Sequence, residues 1–306
     1  GLHIILKLPG FIKKHNIEIV DAQSFFTYPS ALFTKLFLKK PSFLTYHETW
    51  LNSWIKNTGS WLGILGEFFE RIIVFLSKLL CMNFISVSGF TKNKLTKHGI
   101  NPQNIKVIHN GIELSKYKEV KIKKSSDKIC YVGRLIDHKR VIDLIKAVKI
   151  VKKQFPKIKC LIIGKGPEKS KLETLTKKMH LEKNINFLGY LKNHKEVIKT
   201  IKSSHLLIHP GTVEGFGFTL IEAMACTTPY VCSDIKVFNE VTENGKGGLL
   251  FNKKNHKDLA EKSLNLLKNK KLYKTKQHEC KKLVKKYSWK NIVEKIERIY
   301  KSQIKK

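Results

Sequence analysis

Residues 209–234 read HPGTVEGFGFTLIEAMACTTPYVCSD. Just before them the apolar run Leu206, Leu207, Ile208 has the length and composition of a buried strand. The run ends in a glycine-rich turn, and an apolar-periodic helix follows at once. A strand that leads directly into a helix N-terminus brings backbone amides to one point, which suits an anion. Two carboxylates, Glu214 and Glu222, flank the turn. An ionised carboxylate only accepts hydrogen bonds, so it suits a ligand rich in hydroxyl donors. Phosphate and polyol together point to a nucleotide sugar.

Outward from this stretch the chain alternates short β-rich runs with longer helical segments, the pattern of a parallel, doubly wound sheet. Strands are expected near residues 17–22, 43–47, 84–88 and 106–109, with helices over 28–39, 61–80 and 91–98. A second alternation places strands at 129–132, 160–163, 185–188, 206–209, 230–232 and 248–251. Its helices fall at 141–154, 168–180, 196–203, 219–226 and 237–243, and the tail from Asp258 onward is helical and lysine-rich. Asn110-Gly111 is a turn signal. Residues 116–127, KYKEVKIKKSSD, are short, polar and charged, and read as a linker. Residues 1–16 read as the end of a helix. A doubly wound sheet opens on a strand and a glycine-rich turn, so at least one βα unit is expected upstream.

Lys+Arg number 59 against 24 Asp+Glu, a net charge of +35 over 306 residues. Such a balance invites a nucleic-acid reading. Only four of the basic residues are arginines (Arg71, Arg134, Arg140, Arg298), however, and arginine is the residue that forks onto phosphates and base edges. No zinc finger or aromatic-interleaved basic motif accompanies the charge, so nucleic acid is not the expected partner. Clustered lysines suit an anionic membrane surface better. The six cysteines show no C-x-x-C pairing and lie mostly in apolar runs, as in a reducing, cytoplasmic compartment. The stretch 61–87 is apolar but broken by Glu67, Glu70, Arg71 and Lys78, so it is not a spanning helix. Such a stripe ordinarily faces a core. A helix lying on the inner face of a membrane is the other reading.

Six stretches in order resemble one family: ISVSGFTKNKL, VIHNGIELSKY, ICYVGRLIDHKRVIDLIKA, LIIGKGPEKSKLETL, INFLGYL and the EGFG…IEAMA block. They are similar to the retaining glycosyltransferases of family 4, the group 1 glycosyl transferases of GT-B fold. The resemblance is weak up to residue 80 and strong from Ser86 to Asn252. It implies an α/β chain of two Rossmann-like doubly wound domains facing a cleft, the first incomplete. The implied domains are 1–115 on the acceptor side, 116–288 on the nucleotide-sugar side, and a helix in 289–306 crossing back to the first. The implied reaction is transfer of a sugar from a nucleotide-diphosphate donor to a lipid-linked, polysaccharide or other glycan acceptor, with retention and without a metal or other cofactor.

Glu214 and Glu222 match the family's Glu-x7-Glu pair, which places Glu214 at the donor sugar and Glu222 on ribose hydroxyls. Arg134 and Lys139 match its basic pair at the pyrophosphate, where cations oppose the charge that grows on a leaving diphosphate. His47, ending a first-domain strand, falls by resemblance over the donor sugar. Gly133 and Gly164 border the nucleotide cleft, and Tyr190 either stacks on the base or packs in a core. Gly215 and Gly217 let the backbone approach the diphosphate. Phe216, Phe218 and Thr219 complete the expected donor-binding set.

The chain also departs from the family. Arg140 stands where glycine is frequent, as a further phosphate contact or a solvated side chain. Thr227 replaces a common glycine, and its branched Cβ disfavours a left-handed backbone, so an altered turn or donor fit is expected. The first-domain glycine-rich loop is absent. Alternatives to transfer are a GT-B relative such as an epimerase or phosphorylase, and a non-catalytic nucleotide-sugar-binding remnant.

Overall fold

A computed structural model describes residues 2–55 and 60–304. The chain forms two units, residues 1–110 with 290–306, and residues 111–289. The first unit runs α1 (Leu2–Lys14), β1 (Val20–Ala22), α2 (Tyr28–Phe37), β2 (Ser42–Tyr46), α3 (Ser60–Leu79), β3 (Asn83–Ser86), α4 (Gly89–Lys97) and β4 (Ile105–Val107). Its strands form a four-stranded parallel sheet in the order β1-β2-β3-β4. All five residues of β2 are buried, as expected of a parallel strand covered on both faces. Ser88 caps α4 by accepting the Thr91 amide at 3.1 Å.

The inner face of α3 is Gly63, Gly66, Glu70, Ile73, Val74 and Ser77, one helical stripe. The other side of the helix corrects the core reading of this segment. Trp61, Leu62, Ile64, Leu65, Phe68, Phe69, Ile72, Phe75, Leu76 and Leu79 are all exposed. Only the narrow stripe is packed, with Ile73 and Val74 in the core of the first unit. Among the described residues no helix is long and apolar enough to cross a membrane.

The second unit continues with α5 (Leu114–Glu119), β5 (Lys128–Val132), α6 (Val141–Val151), β6 (Lys159–Ile163), α7 (Lys169–Lys178), β7 (Ile185–Gly189) and α8 (His194–Ser203). Then follow β8 (Leu206–His209), α9 (Phe218–Ala225), β9 (Tyr230–Ser233), α10 (Lys236–Val241), β10 (Gly248–Phe251), α11 (His256–Lys268) and α12 (Lys270–Leu283). The six strands are parallel in the order β10-β9-β8-β5-β6-β7. Chain direction across the sheet therefore reverses between β5 and β8, which pair through Ile129 with Leu206 and Cys130 with Leu207. The carboxyl ends of strands at such a switch point frame a crevice that loops cannot fill. One core of Ile, Val and Leu side chains from β5, β6, α6 and α11 supports it.

The final helix, α13 (Trp289–Ile304), belongs to the first unit for nearly its whole length. Ile292 is buried with Phe43, Ile85 and Ile108, and Tyr300 packs on Phe43 with ring centroids 5.1 Å apart.

Residues 116–127 are not a free linker. Tyr117 and Val120 are buried, the Ser125 amide donates to the Ser203 carbonyl at 2.8 Å, and Lys124 donates to the Ser204 carbonyl at 2.9 Å. The charged residues between these anchors face water and disguise them. The turn at Thr227 is also unlike the expectation. Thr227 takes φ +53°, and the amides of Thr227 and Thr228 close the end of α9 on Met224 and Ala223. The left-handed turn is kept, and the threonine bears its strain.

Candidate functional site

The loops after β5 and β8 meet at the switch point. After β5 the chain passes Gly133 and Arg134 into a short 3-10 turn, Asp137–Lys139. The Gly133 amide donates to Ile163 and the Leu135 amide to Lys165, each at 3.0 Å, which laces this loop to the one after β6. The approach is so close that a Cβ on Gly164 would lie 1.8 Å from the Gly133 carbonyl oxygen, so no side chain fits there. On the other side, the Thr212 amide donates to the His138 carbonyl at 2.8 Å. These backbone bonds deliver Lys139 to Glu214.

Lys139 and Glu214 form an ion pair, both side chains nearly buried. His209, the last residue of β8 and 3% exposed, places Nε2 3.1 Å from the same carboxylate oxygen, Oε1. The Gly211 amide donates to His209 Nδ1 at 3.4 Å, which favours the tautomer with its proton on Nε2, facing the carboxylate. Burial alone would raise the Glu214 carboxyl. The hydrogen bond from His209, together with the charge and hydrogen bond of Lys139, outweighs it and holds the group at about 2. Both contacts fall on Oε1, so Oε2 has no partner among the described residues. The result is a dry, ionised acceptor with one free oxygen.

Arg134 is exposed, and its side chain makes no hydrogen bond or ion pair among the described residues. Arg140 neither faces water alone nor waits for a phosphate. It forks onto buried Asp143 at 2.8 and 2.9 Å and so is committed to the start of α6.

Gly217 precedes α9 with φ +87°, and a Cβ there would lie 2.8 Å from the Phe238 ring. Phe216 is buried against Tyr287, Gly215 lies beside it, and Phe218 is exposed at the helix start. Thr219 Oγ1 is buried with no hydrogen-bond partner among the described residues. Glu222, one turn further and 5% exposed, accepts from Tyr117 Oη at 3.0 Å and pairs with His194 Nε2 at 2.6 Å. The hydrogen bond to Glu222 raises the His194 imidazole above its ordinary value. Tyr190 is 63% exposed under Lys165 Nζ, 5.3 Å from its ring centre, so it does not pack in a core.

The structure thus brings Glu214 and Lys139 together and gathers Tyr117 and His194 on Glu222. His47 lies in the other unit, exposed, with Nε2 3.2 Å from Gln23 Oε1. Burial of part of its ring lowers its imidazole. Sequence reasoning missed His209, Tyr117 and His194. His209 carried a signal, since it closes a strand at the crevice. The other two had none, because their partner is distant in sequence. Among the described residues no group of three or more His, Cys, Asp or Glu is placed to hold a metal ion.

Residues 115–282 match the family Glycosyl transferases group 1, and residues 1–116 match Glycosyltransferase Family 4. The chain belongs to the group 1 glycosyl transferases. This glycosyltransferase is 30% identical over 300 residues to an uncharacterised glycosyltransferase of Methanocaldococcus jannaschii, covering 95% of the chain and 77% of the relative. It is 28% identical over 184 residues to the O-antigen chain mannosyltransferase of Salmonella typhimurium, 60% of the chain and 51% of that protein. In fold it is similar to Anabaena HepE, solved with UDP and glucose, at a TM-score of 0.82 and 18% identity over 98% of the chain and 81% of HepE. Two parallel-sheet α/β domains of GT-B type are the architecture of the glycosyltransferase.

Proposed function

We propose that this enzyme moves a sugar from a nucleoside-diphosphate donor to a glycan or lipid-linked acceptor with retention of configuration. The observation that carries the reading is Glu214, held ionised in a dry crevice with one oxygen free. That oxygen is an acceptor for a hydroxyl of the donor sugar. Arg134 and Lys139 stand at the carboxyl end of β5 for the diphosphate. The bond from the anomeric carbon to the β-phosphate oxygen breaks, and the acceptor oxygen bonds on the same face. The acceptor proton passes to the departing phosphate. Negative charge grows on that phosphate only as the bond breaks, so fixed cations there stabilise the transition state more than the bound donor. In this reading the cations serve where a metal otherwise would.

Glu222, with Tyr117 and His194 fixing one oxygen, offers the other to ribose hydroxyls. Tyr190 is free to stack on a base, Thr219 Oγ1 awaits an oxygen partner, and His47 serves the reacting region from the first unit. UDP in HepE, and O-antigen chain mannosyl transfer by the Salmonella relative, support the donor and acceptor classes. The basic surface and the outer face of α3 support work at the inner face of a membrane.

The test is a thermal-shift panel of UDP-, GDP-, ADP- and TDP-sugars followed by transfer assays with wild type and Arg134→Ala. One donor should stabilise the chain, by ~2.7 kcal/mol at a hundred times its dissociation constant. Arg134→Ala should lower turnover by ~100-fold or more while the fold is unchanged. Near-normal turnover in that variant would overturn the proposal.

A further inference from the structure

The first unit contains a pocket of about 450 Å³ in which five aromatic side chains supply half of the lining residues. Phe25, Phe26, Tyr28, Trp50 and Trp54 line it, and Glu70 of α3 lies at its base. These rings are fixed rather than collapsed. Trp54 meets Phe25 at 5.0 Å and Trp50 at 4.9 Å between ring centres. Its indole lies on Gly66, where a Cβ would approach to 2.4 Å, so the glycine is the seat for the ring. One turn on, Glu70 accepts from Trp54 Nε1 and, at 2.9 Å, from buried Thr49. Two positions on one face of α3 therefore hold the wall in place. The two Glu70 oxygens are thus taken up by Thr49 and Trp54, and the remaining polar lining is Glu48 with exposed Gln23, Ser24 and His47 at the rim.

An aromatic wall held open to water is unfavourable unless something apolar fills it. Its volume falls in the range of roughly 300–1,000 Å³ that small-molecule sites occupy. Apolar depth with a polar rim matches an amphiphile, chain inward and head outward. The same helix that floors the pocket presents ten exposed large apolar side chains on its outer side, and its two exposed charged residues are basic, Lys78 and Arg71, the latter paired with Glu67 at 2.7 Å. A ligand that resides in a lipid surface fits both faces of α3.

We propose that this pocket takes the apolar chain of an amphiphilic acceptor, so that the sugar is delivered to a lipid-linked head rather than to a free glycan. The acceptor role rests on the transfer reaction proposed above; binding of the chain does not. With the chain seated, the head lies at the rim beside His47, which that reading assigns to the reacting region.

The experiment titrates the full chain with decyl maltoside below its micelle concentration, with maltose as the chain-free control, and follows tryptophan fluorescence. Trp50 and Trp54 report from the wall itself. Decyl maltoside should give a saturable change and maltose none. Phe26→Asp puts a charge at the mouth on a side chain 76% exposed, so the fold is spared, and should weaken binding ~10-fold or more. Phe68→Glu, on the outer side of α3, should leave the titration unchanged. No saturable signal, equal binding in Phe26→Asp, or loss in Phe68→Glu alone would overturn the pocket. If nucleotide sugars stabilise the protein while decyl maltoside fails to bind, the pocket falls and the transfer reaction stands. If decyl maltoside binds and no nucleotide sugar does, the pocket stands as a chain-binding site and the transfer reaction falls.

Discussion

Glu214→Gln keeps the size of the side chain and removes its charge. In the folded chain the carboxyl sits at about 2, against an ordinary 4.5. At ~1.4 kcal/mol per pKa unit, that gap is worth ~3 kcal/mol of folding free energy at neutral pH. Because the folded value is depressed, the stabilisation is complete above the unfolded value and fades as pH falls from there toward the folded one. The glutamine variant should therefore be ~2–3 kcal/mol less stable at neutral pH, with the difference shrinking in acid. Urea denaturation of both proteins, followed by far-ultraviolet circular dichroism at pH ~7, ~5 and ~3.5, reads this directly. The other 23 acidic side chains also titrate over this range, but subtracting one curve from the other removes them. A variant as stable as the wild type at neutral pH would refute the reasoning. So would a gap that stays constant into acid, because it would come from packing rather than charge.

Thr227→Gly relieves a left-handed threonine and should stabilise the chain by ~1 kcal/mol, read as a higher urea midpoint with an unchanged slope. Gly164→Ala has no room beside the Gly133 carbonyl; it should destabilise by ~3 kcal/mol or more and abolish nucleotide-sugar stabilisation, measured by thermal shift. The His194 imidazole should titrate above its ordinary value by NMR and fall back in Glu222→Gln. The stability it draws from Glu222 should be present at acid pH and disappear as pH rises through its folded value. Unchanged titration in Glu222→Gln would remove Glu222 as the cause.

The strands and helices were legible because apolar runs of strand length alternate with helical periods, and Leu206–His209 and Gly248–Phe251 match their observed bounds. The doubly wound class followed from that alternation, whereas the strand order rests on pairings such as β5 with β8 that no local window contains. Glu214 was legible from the same alternation, since it stands where a strand turns into a helix. Other features depend on contacts that no local window contains. Tyr117 reaches Glu222 across 105 residues, and Lys139 reaches Glu214 across 75. Buried Tyr117 and Val120 were hidden because lysines crowd the same segment. The outward apolar face of α3 was misjudged because periodicity says which side chains share a face, not whether anything covers it. Thr227 follows the turn that α9 and β9 demand, against its own preference.

The return of α13 has a consequence for synthesis. Ile292 closes a core made with Phe43, Ile85 and Ile108, and Tyr300 donates to Asp21, the two residues separated by 279 positions. The first unit to leave the ribosome is therefore the last to be finished. Its sheet must wait with one apolar face bare while the whole of the second unit is translated and folds. A chain cut after Asn110 would keep that face uncovered, and coexpression with a separate segment spanning 289–304 is the way to give it a partner.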